Sequence, residues 1–297
     1  MKNLCLTIGV SLLILTACNH KEESQQLASK TMETTSPDTL QFTNGYSEVN
    51  GLKMYYEIYG EGKPLVLIHG GGSTIQSTFE QVIPLLAEDR QVIAVELQAH
   101  GRTGDRDAEL TFEQDADDVA VLLNNLNISK ADFFGFSNGA TTVMQIAIRH
   151  AEIVNKMVLG SVLAKRNGMP DQFWGFMKQA SLDNMPQPLQ EAYLKVTQDS
   201  SGLQVMHDKD AHRMVNFKDI PDEQIQSITV PTLIINGEND VILLSHVQEL
   251  DEEIPNSELL IFPGVHGEYL GEITTLKPGF KASELEAVPK IKAFLDR

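Results

Sequence analysis

Gly135-Phe136-Ser137-Asn138-Gly139 is a G-x-S-x-G pentapeptide set between an apolar run, Ala131–Phe136, and a helical pattern, Ala140–His150. A serine on so sharp a strand-to-helix turn has an exposed hydroxyl and a strained backbone, and the flanking glycines let the chain pass closely. Its hydroxyl is a weak nucleophile near neutral pH, so it needs an adjacent base, and the base needs a third group to orient it. His266, in Pro263-Gly264-Val265-His266-Gly267, is the candidate base. Asp240, in Gly237-Glu238-Asn239-Asp240, is the candidate orienting carboxylate. Glu238 is a rival for Asp240, and His69 and His100 are rivals for His266 that precede the nucleophile in the chain. Such a set attacks a carbonyl and passes the serine proton to the histidine.

The tetrahedral species formed by that attack carries an oxyanion, which needs N–H donors. His69-Gly70-Gly71-Gly72 follows the apolar run Pro64–Ile68, and a glycine run there lets the backbone curl and aim an N–H at the oxyanion. The N–H of Asn138, next to the nucleophile, is the matching donor. A glycine-rich turn also cradles phosphate, but G-x-x-x-x-G-K-[ST] is absent.

These residues need a scaffold that brings distant segments together. Asn50-Gly51 between Tyr46–Val49 and Leu52–Tyr59 reads as a hairpin turn. Pro64–Ile68, Gln91–Val95, Ala131–Phe136, Lys156–Leu159, Pro231–Ile235 and Glu258–Phe262 read as strands buried on both faces. Helical patterns separate most of them, as in a mainly parallel α/β sheet with crossover helices. Ser137, Asp240 and His266 each follow the carboxyl end of such a strand, the edge where open α/β sheets bind ligands. In one crossover helix, Phe112, Ala116, Val119, Leu123 and Leu126 form an apolar stripe. Thr111 and Gln114 suggest a capping box at its start, and Glu113, Asp117 and Asp118 a solvated opposite face. From about Leu163 to Ile228 the alternation stops, which predicts an inserted helical cap. That stretch holds Met169, Met177, Met185, Met206, Met214 and the only tryptophan, Trp174. Trp174, Phe173, Phe176 and Met177 are the candidates for an acyl pocket; the alternative is an ordinary methionine-rich core.

His69-Gly70-Gly71, Gly135-x-Ser137-x-Gly139, Gly237-x-x-Asp240 and Gly264-x-His266 together resemble the α/β-hydrolase family across most of residues 51–297. The chain order Ser, Asp, His is the one expected of that fold. The resemblance implies Ser137 as nucleophile, His266 as base, Asp240 as its partner, and Gly71 with Asn138 in the oxyanion hole. His100-Gly101-Arg102 is similar to the family's H-G-R turn, which helps shape the active-site rim. Val265 stands where the family often has Asp, and Ala99 where it more often has Gly. The implied activity is hydrolysis of an ester, or less readily an amide or thioester, on a small molecule through an acyl-enzyme, with no cofactor. Alternatives are an aminopeptidase or perhydrolase of the same fold, or a ligand-binding relative without turnover.

The formal net charge of −18 argues against nucleic acid as a partner. Cys5 and Cys18 are the only cysteines, so no disulfide framework or thiolate metal site is expected in the remainder, and the histidines show no metal-ligand spacing. Lys2 precedes an apolar run, Leu4–Ala17, in the order of a secretory signal. Leu15-Thr16-Ala17-Cys18 resembles the lipobox of bacterial lipoproteins, which implies cleavage after residue 17 and acylation of Cys18. Lys21-Glu22-Glu23 resembles signals that send some lipoproteins to the cell surface. The expected organisation is a signal peptide over 1–17, a flexible tether over 18–41, and a hydrolase domain over 42–297 with its cap at about 163–228. The expected location is the bacterial cell envelope, lipid-anchored to a membrane.

Overall fold

The computed structural model describes Thr31–Met32 and residues 40–297. The segment expected to be a signal peptide, 1–17, and Cys18 lie outside the described residues.

Among the described residues, nine strands form one sheet: β1 (Thr31–Met32), β2 (Phe42–Val49), β3 (Leu52–Tyr59), β4 (Lys63–Ile68), β5 (Arg90–Val95), β6 (Ala131–Phe136), β7 (Val154–Gly160), β8 (Thr232–Gly237) and β9 (Ser257–Phe262). The spatial order is β1-β2-β3-β5-β4-β6-β7-β8-β9. The pairings from β5 through β4 to β9 are parallel, while β1, β2 and β3 run antiparallel. Asn50 and Gly51 both have positive φ, 47° and 78°, so the β2–β3 hairpin closes on a two-residue primed turn. The two-residue β1 falls within the segment expected to be a tether and pairs with β2.

Helices α1 (Ile75–Phe79), α2 (Ile83–Leu86), α3 (Phe112–Asn125) and α4 (Asn138–Arg149) link the strands up to β7. Between β7 and β8 lie α5 (Asp171–Met177), α6 (Gln187–Thr197), α7 (Ser200–Val215) and α8 (Asp222–Gln226); α9 (Leu244–Glu253) and α10 (Ala287–Leu295) complete the chain. Strand side chains alternate between two apolar layers. Val66, Ile68, Phe133 and Leu159 pack under α3, α4 and α9, whereas Leu65, Leu67, Phe134 and Val158 face α1, α2 and α10. The chain leaves β4 towards β5 but leaves β6 towards β7. The carboxyl ends of these neighbours therefore border a crevice at the topological switch.

Two readings of α3 need correction. Thr111 Oγ1 accepts the Gln114 N–H, but the Gln114 side chain donates forward to Asp118, so only half of the capping box forms. Asp118 is not solvated: it is fully buried, because Arg106 and Asn50 reach in to bond it. Asp115 is buried too and pairs with Arg213 from the cap at 2.7 Å.

Candidate active site

Ser137 joins β6 to α4 with φ 54° and ψ −121°, a left-handed conformation that costs a non-glycine residue roughly 1–3 kcal/mol. Both flanking glycines are sterically required. A Cβ on Gly135 would lie 2.2 Å from the Gly139 carbonyl oxygen, and one on Gly139 would lie 2.1 Å from that of Ile68.

The turn aims the Ser137 hydroxyl at His266: Oγ lies 3.1 Å from Nε2, and Nδ1 lies 2.7 Å from Asp240 Oδ1. A carboxylate only accepts, so Nδ1 donates and Nε2 is left to accept the serine proton. The ring of Phe136 packs against His266 with centroids 4.7 Å apart. The Asp240 side chain is fully buried. Burial disfavours its charge, but bonds from His266, Ser161 Oγ (2.6 Å) and the Ile242 N–H (2.9 Å) outweigh this and hold the carboxyl below its ordinary range. The structure thus brings the three predicted residues together from three strand ends.

Two supporting residues escaped sequence reasoning. Ser161 follows β7 with φ 50°, and its hydroxyl lies 2.7 Å from the buried Tyr269 hydroxyl. Ser161 does occupy a strand-end position like the other three, which was a usable signal; Tyr269 offered none. The rivals fall away on geometry. The Glu238 side chain is exposed, with only its N–H engaged, by the Phe262 carbonyl. His69 donates from Nδ1 to the Gly70 carbonyl and accepts the Leu97 N–H at Nε2, which fixes a neutral ring. Burial pushes its pKa down to about 3.

Gly71 and Asn138 line the same cavity as Ser137 and His266. Among the described residues, neither the Gly71 nor the Asn138 N–H meets an acceptor. The Asn138 N–H also heads the twelve-residue helix α4, whose dipole favours negative charge there. The cavity encloses about 320 Å³. A roomier hollow of about 530 Å³ between the Arg102–Asp105 turn and α6–α7 contains none of these groups; the chemistry belongs to the smaller one.

Four of the five cap methionines, Met169, Met177, Met185 and Met214, face the cavity that Ser137 and His266 line, as do Phe173 and Phe176. Met206 is buried instead against Tyr193 and Leu203. Trp174, expected in the pocket, does not line it. Its indole N–H donates to the Arg166 carbonyl, the Arg166 guanidinium sits 3.8 Å above its ring, and Phe217 packs beside it. The turn resembling H-G-R divides: His100 faces the cap residue Asp210, whereas Arg102 turns away to Glu96 and the ring of Tyr55. Ala99, where glycine is more usual, has φ 64°.

A sequence profile of the alpha/beta hydrolase fold matches residues 63–216. With the sheet order and strand-end residues above, this makes the chain a member of the α/β-hydrolase family. Among its relatives, the 2-hydroxy-6-oxo-6-(2'-aminophenyl)hexa-2,4-dienoic acid hydrolase of Metapseudomonas resinovorans is 31% identical over 121 residues, which is 40% of this chain and 42% of that enzyme. The chain thus spans less than half of that relative. A putative non-heme chloroperoxidase of Synechocystis is 29% identical over 75% of this chain and 91% of its own. A solved N-acyl homoserine lactone degrading enzyme superposes with a TM-score of 0.63 at 25% identity, covering 84% of this chain and 99% of its own.

Proposed function

We propose that the protein is a serine hydrolase that cleaves carboxylic esters of uncharged, largely apolar small molecules through an acyl-enzyme. The observation that carries this reading is the hydrogen-bonded series Ser137 Oγ, His266, Asp240 at 3.1 and 2.7 Å. Ser137 Oγ attacks the ester carbonyl carbon as its proton moves to His266 Nε2. The N–H groups of Gly71 and Asn138 hold the oxyanion, and Asp240 stabilises the imidazolium. Collapse of the tetrahedral species breaks the carbon–oxygen bond of the leaving group, which takes the proton from His266. Water, deprotonated by the same Nε2, then releases the acid and restores Ser137.

The composition of the cavity wall supports this substrate class. Phe173, Phe176, Met177, Leu189 and Met214 give it apolar surface, and its ionised wall residue is the carboxylate Asp210. No lysine or arginine lines it among the described residues. A substrate bearing its own carboxylate, as the name of the dienoic acid hydrolase implies for that enzyme, finds no lysine or arginine on this wall among the described residues. We assign the membrane tether proposed from Leu15-Thr16-Ala17-Cys18 to acylated Cys18.

Labelling with a fluorophosphonate tests the serine, and a panel of neutral esters beside matched carboxylate-bearing ones tests the substrate class. The reading expects stoichiometric labelling and a kcat/KM preference for the neutral series. Absence of labelling, or a preference for the anionic series, overturns it.

A further inference from the structure

We infer that Asp210 is a positioning residue: paired with His100 and Arg213, it holds the Gly72 N–H and so ties the seating of cap helix α7 to the alignment of the Gly70–Gly72 loop. The inference rests on the proposed role of Gly71 as an oxyanion donor. Asp210 Oδ2 accepts from the Gly72 N–H at 2.5 Å and from His100 Nε2 at 2.9 Å, while Oδ1 accepts from Arg213. Oδ2 would also lie 3.2 Å from a Cβ on Gly71, so the carboxylate abuts the residue that offers the N–H. Asp210 and Arg213 stand one helical turn apart on α7, and Arg213 continues to Asp115 on α3. One side chain of the cap therefore bonds the oxyanion loop, the turn after β5 and, through Arg213, a core helix.

The charge state of His100 follows from its partners. Nδ1 faces the Gln98 carbonyl at 2.8 Å and Nε2 faces a carboxylate, so both nitrogens donate and the ring is an imidazolium. The groups facing it are neutral His69, Asp115, Asp210 and Arg213. With His100 protonated, two cations balance two carboxylates. Loss of that proton leaves an uncompensated negative charge beside the developing oxyanion. Burial opposes the His100 charge, but Asp210 outweighs burial and holds the pKa above its ordinary value. The pair's stability is thus complete at pH values below the unfolded pKa of histidine and is lost as pH rises through the raised one. Burial pushes Asp115 up to about 6, so it is already ionised across that alkaline range.

The test measures kcat, KM and pH profiles on a neutral ester for the full chain, with rates normalised to the end-point stoichiometry of fluorophosphonate labelling. Asp210→Asn lowers kcat per labelled site by about 10- to 100-fold, with KM changed by no more than about twofold. His100→Gln retains an N–H donor but no charge, and it abolishes the alkaline limb of the wild-type kcat/KM profile while the acid limb stays. Wild-type kcat per labelled site in Asp210→Asn overturns the inference, as does an alkaline limb unmoved in His100→Gln; the second variant decides the matter if the first does not fold. Ser137→Ala separates the two levels. If it retains turnover, the serine reading itself is wrong; if it is inactive while Asp210→Asn is normal, only the positioning role is lost.

Discussion

Ser137, His266 and Asp240 are tied together by bonds whose direction leaves little freedom. Nδ1 donates to a carboxylate that also accepts from Ser161 and the Ile242 N–H, so only Nε2 can take the serine proton. Replacing Asp240 by Asn presents an amide to Nδ1, which favours the wrong tautomer. Asp240→Asn is therefore expected to lower kcat by about 10⁴-fold with the fold retained, whereas Glu238→Gln stays near wild type. Steady-state kinetics on one ester checks both, and the reverse pattern would transfer the carboxylate role to Glu238. Ser161→Ala removes one bond to Asp240 but no reacting group, so a fall of about tenfold is expected, corresponding to ~1.4 kcal/mol. At this scale the sequence was legible where a residue's chemistry coincided with a strand end. It was not legible for Asp210, whose role depends on Gly72, His100 and Arg213 converging from separate segments.

The elements divide by how local their causes are. Strands and crossover helices announce themselves through runs and stripes that each segment carries alone, and the sheet follows them closely. The cap is different, because its helices face two ways. Trp174 and Phe173 are neighbours on α5, and partners from outside the helix decide which one meets the cavity. Arg166 and Phe217 claim Trp174 for the core. Trp174→Ala should then cost about 3–5 kcal/mol in unfolding free energy and leave the ratio of kcat/KM across an acyl-length series unchanged. Met177→Ala, at the cavity wall, should instead shift that ratio towards bulkier acyl groups. Denaturant unfolding with the ester series distinguishes the two, and a specificity change confined to Trp174→Ala would reverse the assignment. Asp118 was misread for a related reason: periodicity places it opposite the apolar stripe, but a loop arginine covers that face.

For the whole molecule, the fold class was legible because a parallel sheet leaves buried strands and separating helices in plain order, and the switch between β4 and β6 then fixes where the site must be. Among the described residues, no helix is long and apolar enough to cross a membrane. The proposed attachment rests on acylation of Cys18, whose acyl chains would contribute about 0.8 kcal/mol per buried CH₂. Cys18→Ala should move the protein out of the membrane fraction; retention after a carbonate wash would end that proposal. The central claim is covalent catalysis by Ser137, and the most direct measurement is the mass of the protein quenched during turnover of a slowly deacylated ester. The account predicts a gain equal to the acyl group, located on the peptide containing Ser137 and absent from Ser137→Ala, which is also inactive. An unmodified Ser137 peptide during turnover, or wild-type ester hydrolysis by Ser137→Ala, would contradict it.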